Sequence, residues 1–162
     1  MKEISINCDI YDYIRAMTPR GEKVGLIVPT NSALTNRGLG VMGAGLALRA
    51  KQMIIFPKEV DPLKQLASII KDKKNVGWIG DCFCVKNFAF MTKDHYRNPS
   101  RLDIIEKSTV ELRNLALTDY SDIRKWYIPH VGCGLGGLNW EDVKPILANR
   151  LDDRFIAFGY GE

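Results

Sequence analysis

Eight of the 14 glycines fall in two short segments, and that clustering is the strongest chemical signal in the chain. The first segment is Gly38-Leu39-Gly40-Val41-Met42-Gly43-Ala44-Gly45; the second is Gly132-Cys133-Gly134-Leu135-Gly136-Gly137. Glycine lets the backbone approach a ligand closely and turn successive N–H groups inward as an anion nest. Each segment also precedes a predicted helix, whose free N–H groups and dipole favour phosphate. Two such loops can hold a diphosphate from opposite sides. Gly38, Gly40 and Gly43 also satisfy the dinucleotide pattern GxGxxG. Eight residues, Thr30 to Arg37, separate them from the preceding strand, however, whereas a Rossmann loop turns at once.

Other residues bring acid–base or nucleophilic chemistry. Lys93 closes the run Phe90-Met91-Thr92-Lys93 and is followed by His95 and Arg97. Desolvation or a neighbouring cation can make such a lysine nucleophilic, although an exposed loop lysine is the commoner case. His130 precedes Cys133 by three residues. That pair could activate a thiolate, or His130 could serve as general acid for a phosphate monoester. A histidine satisfied at a strand end, and a small Cys133 packed beneath the loop, are the plainer readings. Asp9 stands where it can cap the segment starting at Ile10. No metal site is expected. Cys82-x-Cys84 has no second close pair, and Cys8, His95, His130 and Cys133 are scattered.

These groups need elements to position them. Val24–Pro29 is an apolar run ending in proline, as a buried strand would be. A helix is expected over 42–53. Asp61-Pro62 supplies an N-cap and a first-turn proline for a second helix, with Leu63, Leu66, Ala67 and Ile70 on one face. Strands are expected over 76–79 and 82–91 around a Gly80-Asp81 turn. Pro99-Ser100 opens a third helix with Ser100 as cap, and Leu102, Ile105, Leu112 and Ala116 keep its period. A strand over 126–131, a helix over 139–150 and a closing strand over 155–158 complete the order. The alternation predicts an α/β fold with a mixed sheet and helices on both faces.

The 162 residues suit one domain, 1–162, and 46% apolar with 26% charged residues is a globular composition. A net charge of +4 suits an anionic ligand without indicating a nucleic-acid groove. Lys71, Lys73 and Lys74 beside Asp72 read as a solvated helix end. Met1–Ile10 carries Lys2, Glu3 and Asp9 and is not expected to act as a signal peptide, and no apolar stretch is long enough for a bilayer. The four cysteines form no spaced disulfide framework. A reducing, cytoplasmic setting without membrane attachment is the expectation.

The segments Gly40-Val41-Met42-Gly43-Ala44-Gly45-Leu46-Ala47 and Pro129-His130-Val131-Gly132-Cys133-Gly134-Leu135-Gly136-Gly137-Leu138-Asn139-Trp140 together resemble a macrodomain. Within that family they are similar to the branch of the terminal ADP-ribose protein glycohydrolase and of antitoxin macrodomains that remove ADP-ribose from DNA. The resemblance runs from Asn7 to Tyr160 and implies a three-layer α/β/α sandwich with an ADP-ribose pocket. It implies that Asp9 accepts from the adenine N6 amine and that Tyr160 offers its ring to the adenine face. With Met42 beside them, Gly43, Ala44 and Gly45 match the first phosphate loop. Gly132, Cys133, Gly134, Leu135, Gly136 and Gly137 match the second, which wraps the diphosphate and distal ribose. An asparagine before the first loop orients that ribose in many members. Asn31 and Asn36 are available, and Asn36 is nearer the glycines.

In that branch a lysine at the position of Lys93 attacks C1″ and leaves an adduct that water resolves. The protein-directed enzyme has an aspartate where this chain has Gly136, whereas the antitoxin members keep Gly-Leu-Gly-Gly-Leu. The resemblance therefore implies a hydrolase that removes ADP-ribose from a macromolecule, with DNA favoured over protein and no cofactor. Two alternatives remain: a phosphatase acting on ADP-ribose-1″-phosphate through His130, and a non-catalytic ADP-ribose reader. A toxin partner is conceivable from the antitoxin likeness but leaves no mark in the sequence.

Overall fold

The computed structural model describes residues 1–55 and 58–161. They form a six-stranded sheet with the order β1-β6-β5-β2-β4-β3. The strands are β1 (Lys2–Ile6), β2 (Val24–Asn31), β3 (Val76–Cys82), β4 (Val85–Lys93), β5 (Trp126–Pro129) and β6 (Phe155–Tyr160). The helices are α1 (Ile10–Met17), α2 (Gly45–Met53), α3 (Pro62–Lys71), α4 (Leu102–Leu117) and α5 (Trp140–Ala148). Neighbouring strands run parallel except β3, which returns antiparallel to β4.

Alternation along the central strands divides the core between two faces. Leu26, Val28, Ala89, Met91, Tyr127 and Phe158 point to one side, where Ile10, Tyr11 and Ile14 of α1, Ala47 and Ala50 of α2, and Leu66 and Ile69 of α3 cover them. Ile27, Phe88, Phe90, Trp126, Ile128, Phe155 and Ala157 point to the other, beneath Ile105, Leu112 and Ala116 of α4 and Val143 and Leu147 of α5. Each strand thus supplies two cores, which makes the fold a three-layer α/β/α sandwich.

Several expectations shift. The β3–β4 turn falls at Phe83-Cys84, and Phe83 takes φ 41°. Gly80, at φ 136°, marks an irregularity inside β3 instead. A side chain there would strike Ile54, so the glycine serves close packing of the α2 end on the sheet. The first glycine loop runs on to Ala44, so α2 begins at Gly45 and not at 42. The fifth strand stops at Pro129, which leaves His130 and Val131 in the loop. Ser100 does not cap α4: Arg101 holds the cap position, and no side chain bonds the helix end. Asp61 does cap α3, accepting from the Leu63 amide at 2.9 Å ahead of Pro62.

Candidate functional site

Parallel strands β2, β4 and β5 end on one edge of the sheet. From β2 the chain departs toward β4, and from β5 it departs toward β6, so the two connections diverge at this β2–β5 pair. Divergence of this kind opens a crevice above the carboxyl ends of the strands, where α/β folds take ligands. The first glycine loop leaves β2 on one side of it and the second leaves β5 on the other. Between them lies a cavity of about 510 Å³.

Its floor and walls are Pro29, Thr30 and Asn31 from β2, Thr92 and Lys93 from β4, and His130 after β5. Val41, Gly43, Ala44, Gly45, Leu46 and Ala47 form one lip. Gly132, Gly134, Leu135 and Gly136 form the other, with Tyr96 and Ser100 from the loop after β4. Lys93, His130, Gly43, Ala44, Gly45, Gly132, Gly134, Leu135 and Gly136 therefore meet at one cavity. Asp9, Asn36, Met42, Cys133, Gly137 and Tyr160 are outside its lining.

Asp9, Met42 and Cys133 have a visible local role, whereas Asn36 and Tyr160 are exposed. Asp9 caps α1: its Oδ1 accepts from the Tyr11 amide at 2.9 Å and the Asp12 amide at 3.4 Å. Its Oδ2 accepts from Arg49 Nε at 3.0 Å, tying α1 to α2. Tyr160 is 63% exposed, with its ring edge-on to Phe158. Met42 is buried in the core beneath α2 and α3. Cys133 packs against the opposite core, and burial pushes its thiol pKa up, which opposes a thiolate role. Asn36 is exposed on the turn where the Gly38 amide donates to the Thr35 carbonyl at 2.9 Å. Asn31 is the asparagine at the cavity, its Oδ1 accepting from the Ala33 amide at 3.0 Å.

The glycines of the loops divide into two kinds. A Cβ on Gly40 would lie 2.6 Å from Leu66, and one on Gly136 would meet the Ser100 hydroxyl and, at 2.6 Å, the Gly132 carbonyl. Those two, and Gly132 beneath Ile105, are small because protein fills the space. A Cβ on Gly43, Gly45, Gly134 or Gly137 would meet nothing within 4 Å. Packing does not require these four to be glycine.

His130 lines the cavity with its ring stacked on Trp140, centroids 3.9 Å apart and planes 10° from parallel. Burial lowers its pKa, and the Glu3 carboxylate only partly offsets that. Glu3 in turn accepts from Trp140 Nε1 at 3.0 Å and pairs with Lys144 at 2.6 Å. Ser100 is 5% exposed and its Oγ has no hydrogen-bond partner, while its backbone amide donates to the Gly136 carbonyl at 2.9 Å. Sequence reasoning placed Ser100 in a helix cap and missed Thr30, Thr92 and Tyr96. Their position at the cavity is set by strand pairing and by the path of one loop, which no local pattern records.

No protein-family model matches the chain. A protein named DNA ADP-ribosyl glycohydrolase from Mycobacterium bovis is 30% identical over 120 residues, 68% of this chain and 32% of the relative. One of the same name from Thermus aquaticus is 29% identical over 123 residues, covering 70% and 32%. The chain thus spans about a third of the length of these relatives. Among solved structures, the macrodomain of Mycobacterium tuberculosis DarG superposes with a TM-score of 0.67 at 23% identity over 98% of both chains. The macrodomain of Thermus aquaticus DarG gives 0.67 at 22% identity over 99% of this chain and 98% of its own. Thermosipho africanus DarTG in complex with ADP-ribose gives 0.62 at 20% identity, over 97% of this chain and 52% of that one. Sheet order, layering and these superpositions agree: in fold, the chain is a macrodomain.

Proposed function

We propose that the cavity binds ADP-ribose and that the chain hydrolyses the bond joining ADP-ribose to DNA. The observation that carries this reading is the meeting of both glycine loops and Lys93 at one cavity of about 510 Å³. The activity named for the relatives, and the ADP-ribose bound by a protein of the same fold, support it. In this reading the diphosphate lies between Gly43–Gly45 and Gly134–Gly136, held by backbone N–H groups. The adenine end extends past the cavity toward Asp9 and Tyr160. Asp9 Oδ2 keeps a lone pair beside its bond to Arg49 and can accept the adenine amine. Asn31 stands at the distal ribose in place of Asn36.

Lys93 then acts as nucleophile. As the free amine, Nζ attacks C1″; the bond from C1″ to the DNA group breaks, and its electron pair leaves with that group, which takes up a proton. Water cleaves the lysyl adduct, restoring the amine and releasing ADP-ribose. The chain as a unit, 1–162, would suffice for this chemistry. Wild type should release ADP-ribose from singly modified DNA faster than from singly modified protein. Lys93→Ala should lose DNA turnover by about 100-fold or more while retaining ADP-ribose binding. Absence of turnover by wild type on both substrates would defeat the hydrolase reading.

One observation favours a second reading, removal of a 1″-phosphate: His130 lines the cavity, and burial favours its neutral form. A phosphatase would survive Lys93→Ala and fail on replacement of His130, the reverse of the pattern expected above.

A further inference from the structure

We propose that His95, Tyr96 and Arg97 form a stacking surface at the cavity rim for the nucleobase to which ADP-ribose is attached. This rests on the ADP-ribose reading above and names what lies beyond the bond that Lys93 would break. Among the exposed large hydrophobic residues of the described chain, only Tyr96 and Leu135 line the cavity, at 47% and 86% exposure. Leu135 belongs to the second glycine loop. Tyr96 stands three residues beyond Lys93, on the loop that follows it.

The rim is a cluster of flat groups. The His95 ring stacks on Tyr96 with centroids 4.2 Å apart and planes 30° from parallel, and the Arg97 guanidinium lies 5.6 Å from the Tyr96 centroid. Its backbone is held in place. The Arg97 amide donates to His95 Nδ1 at 3.1 Å, and the Asn98 amide to the His95 carbonyl at 3.0 Å. Asn98 Nδ2 donates to Asp94 Oδ1 at 2.9 Å, and Ser32 Oγ donates to the Asp94 carbonyl at 3.1 Å, anchoring the loop to the chain after β2. A preorganised loop presents its rings at small entropic cost.

An exposed tyrosine ring at a ligand cavity, backed by the half-buried His95 ring and flanked by a planar guanidinium, is the chemistry that grips an unpaired base. A carboxylate side chain bearing ADP-ribose would place no flat apolar face there. Arg97 adds a cation that can also meet a strand phosphate. The occupant that fits is therefore a nucleobase of a single strand, with an ADP-ribosylated acidic side chain as the competing possibility to be tested.

Tyr96→Ala and Tyr96→Phe are compared with wild type on free ADP-ribose, a short single-stranded oligonucleotide carrying ADP-ribose on one base, and a peptide carrying it on a glutamate. Tyr96→Ala should raise KM for the oligonucleotide about ten- to a hundredfold. Tyr96→Phe should stay close to wild type, and in Tyr96→Ala any loss of affinity for free ADP-ribose should be several-fold smaller than the loss on the oligonucleotide. Equal losses on oligonucleotide and peptide, or no loss on either, would overturn the proposal. So would a Phe variant as impaired as the Ala variant, because that pattern belongs to a hydroxyl contact and not to stacking. Should wild type bind free ADP-ribose without turnover, affinities decide: a preference for the modified oligonucleotide that vanishes in Tyr96→Ala supports the rim, and no preference refutes it. Failure of wild type to bind free ADP-ribose at all would instead remove the pocket assignment on which the rim depends.

Discussion

Ser100 sits where the loop after β4 touches the second glycine loop, with a buried hydroxyl that bonds to nothing. A buried polar group without a partner destabilises the folded state, and deleting it is neutral or favourable. Ser100→Ala should therefore melt at or above the wild-type temperature, whereas loss of a true helix cap would lower it by about 2–4 °C. Thermal denaturation distinguishes the two. His130 gives a pH signature. Its folded pKa is below the ordinary 6.5, so the unfolded chain binds the proton first as pH falls. Stability attached to neutral His130 is complete above 6.5 and is lost as pH drops from there through the lowered folded value. His130→Phe keeps a ring against Trp140 and removes the titration. Chemical denaturation at pH 7 and pH 5 should show a smaller difference in the variant than in wild type.

The glycine loops were legible as loops long before their members could be told apart. Spacing located Gly38–Gly45 and Gly132–Gly137, but only packing separates glycines that avoid a clash from glycines that border open space. Gly40→Ala or Gly136→Ala should lower stability by roughly 1–3 kcal/mol, because Leu66 or the Gly132 carbonyl must yield. Gly43 and Gly134 have no neighbour within 4 Å of a Cβ and no left-handed φ. Alanine at either should fold normally and weaken ADP-ribose binding, as calorimetry would report. The other elements follow the same rule. Asp61-Pro62 announced α3 because its cap is local. The strand β1 escaped notice because Lys-Glu-Ile-Ser-Ile is short and mostly polar, and only pairing with β6 makes it a strand. Asn31 was passed over for Asn36 because proximity along the chain says nothing about which asparagine a strand carries to the cavity.

At the scale of the whole molecule, the two glycine loops leave different strands and face each other across one cavity, so a ligand held between them should stabilise the fold as a unit. A ligand that binds only the folded state adds stability in proportion to the logarithm of its excess. ADP-ribose at about 100 times its Kd should raise the melting temperature by roughly 5–10 °C, measurable by scanning calorimetry. An unchanged melting temperature would contradict the pocket. Asp9→Ala should weaken that shift and also cost about 1 kcal/mol of stability, since the carboxylate caps α1.

The pairing of β1 with β6 brings Lys2 opposite Ile156 and Ile6 opposite Tyr160. As a ribosome delivers this chain, β1 has no partner until β6 has emerged. The central strands β2, β4 and β5 can join earlier and shape the Lys93 end of the cavity. The corner with Asp9 just after β1 and Tyr160 at the tip of β6 closes last. Such long-range closure slows folding and leaves β5 as a temporary open edge, vulnerable to pairing with another nascent chain.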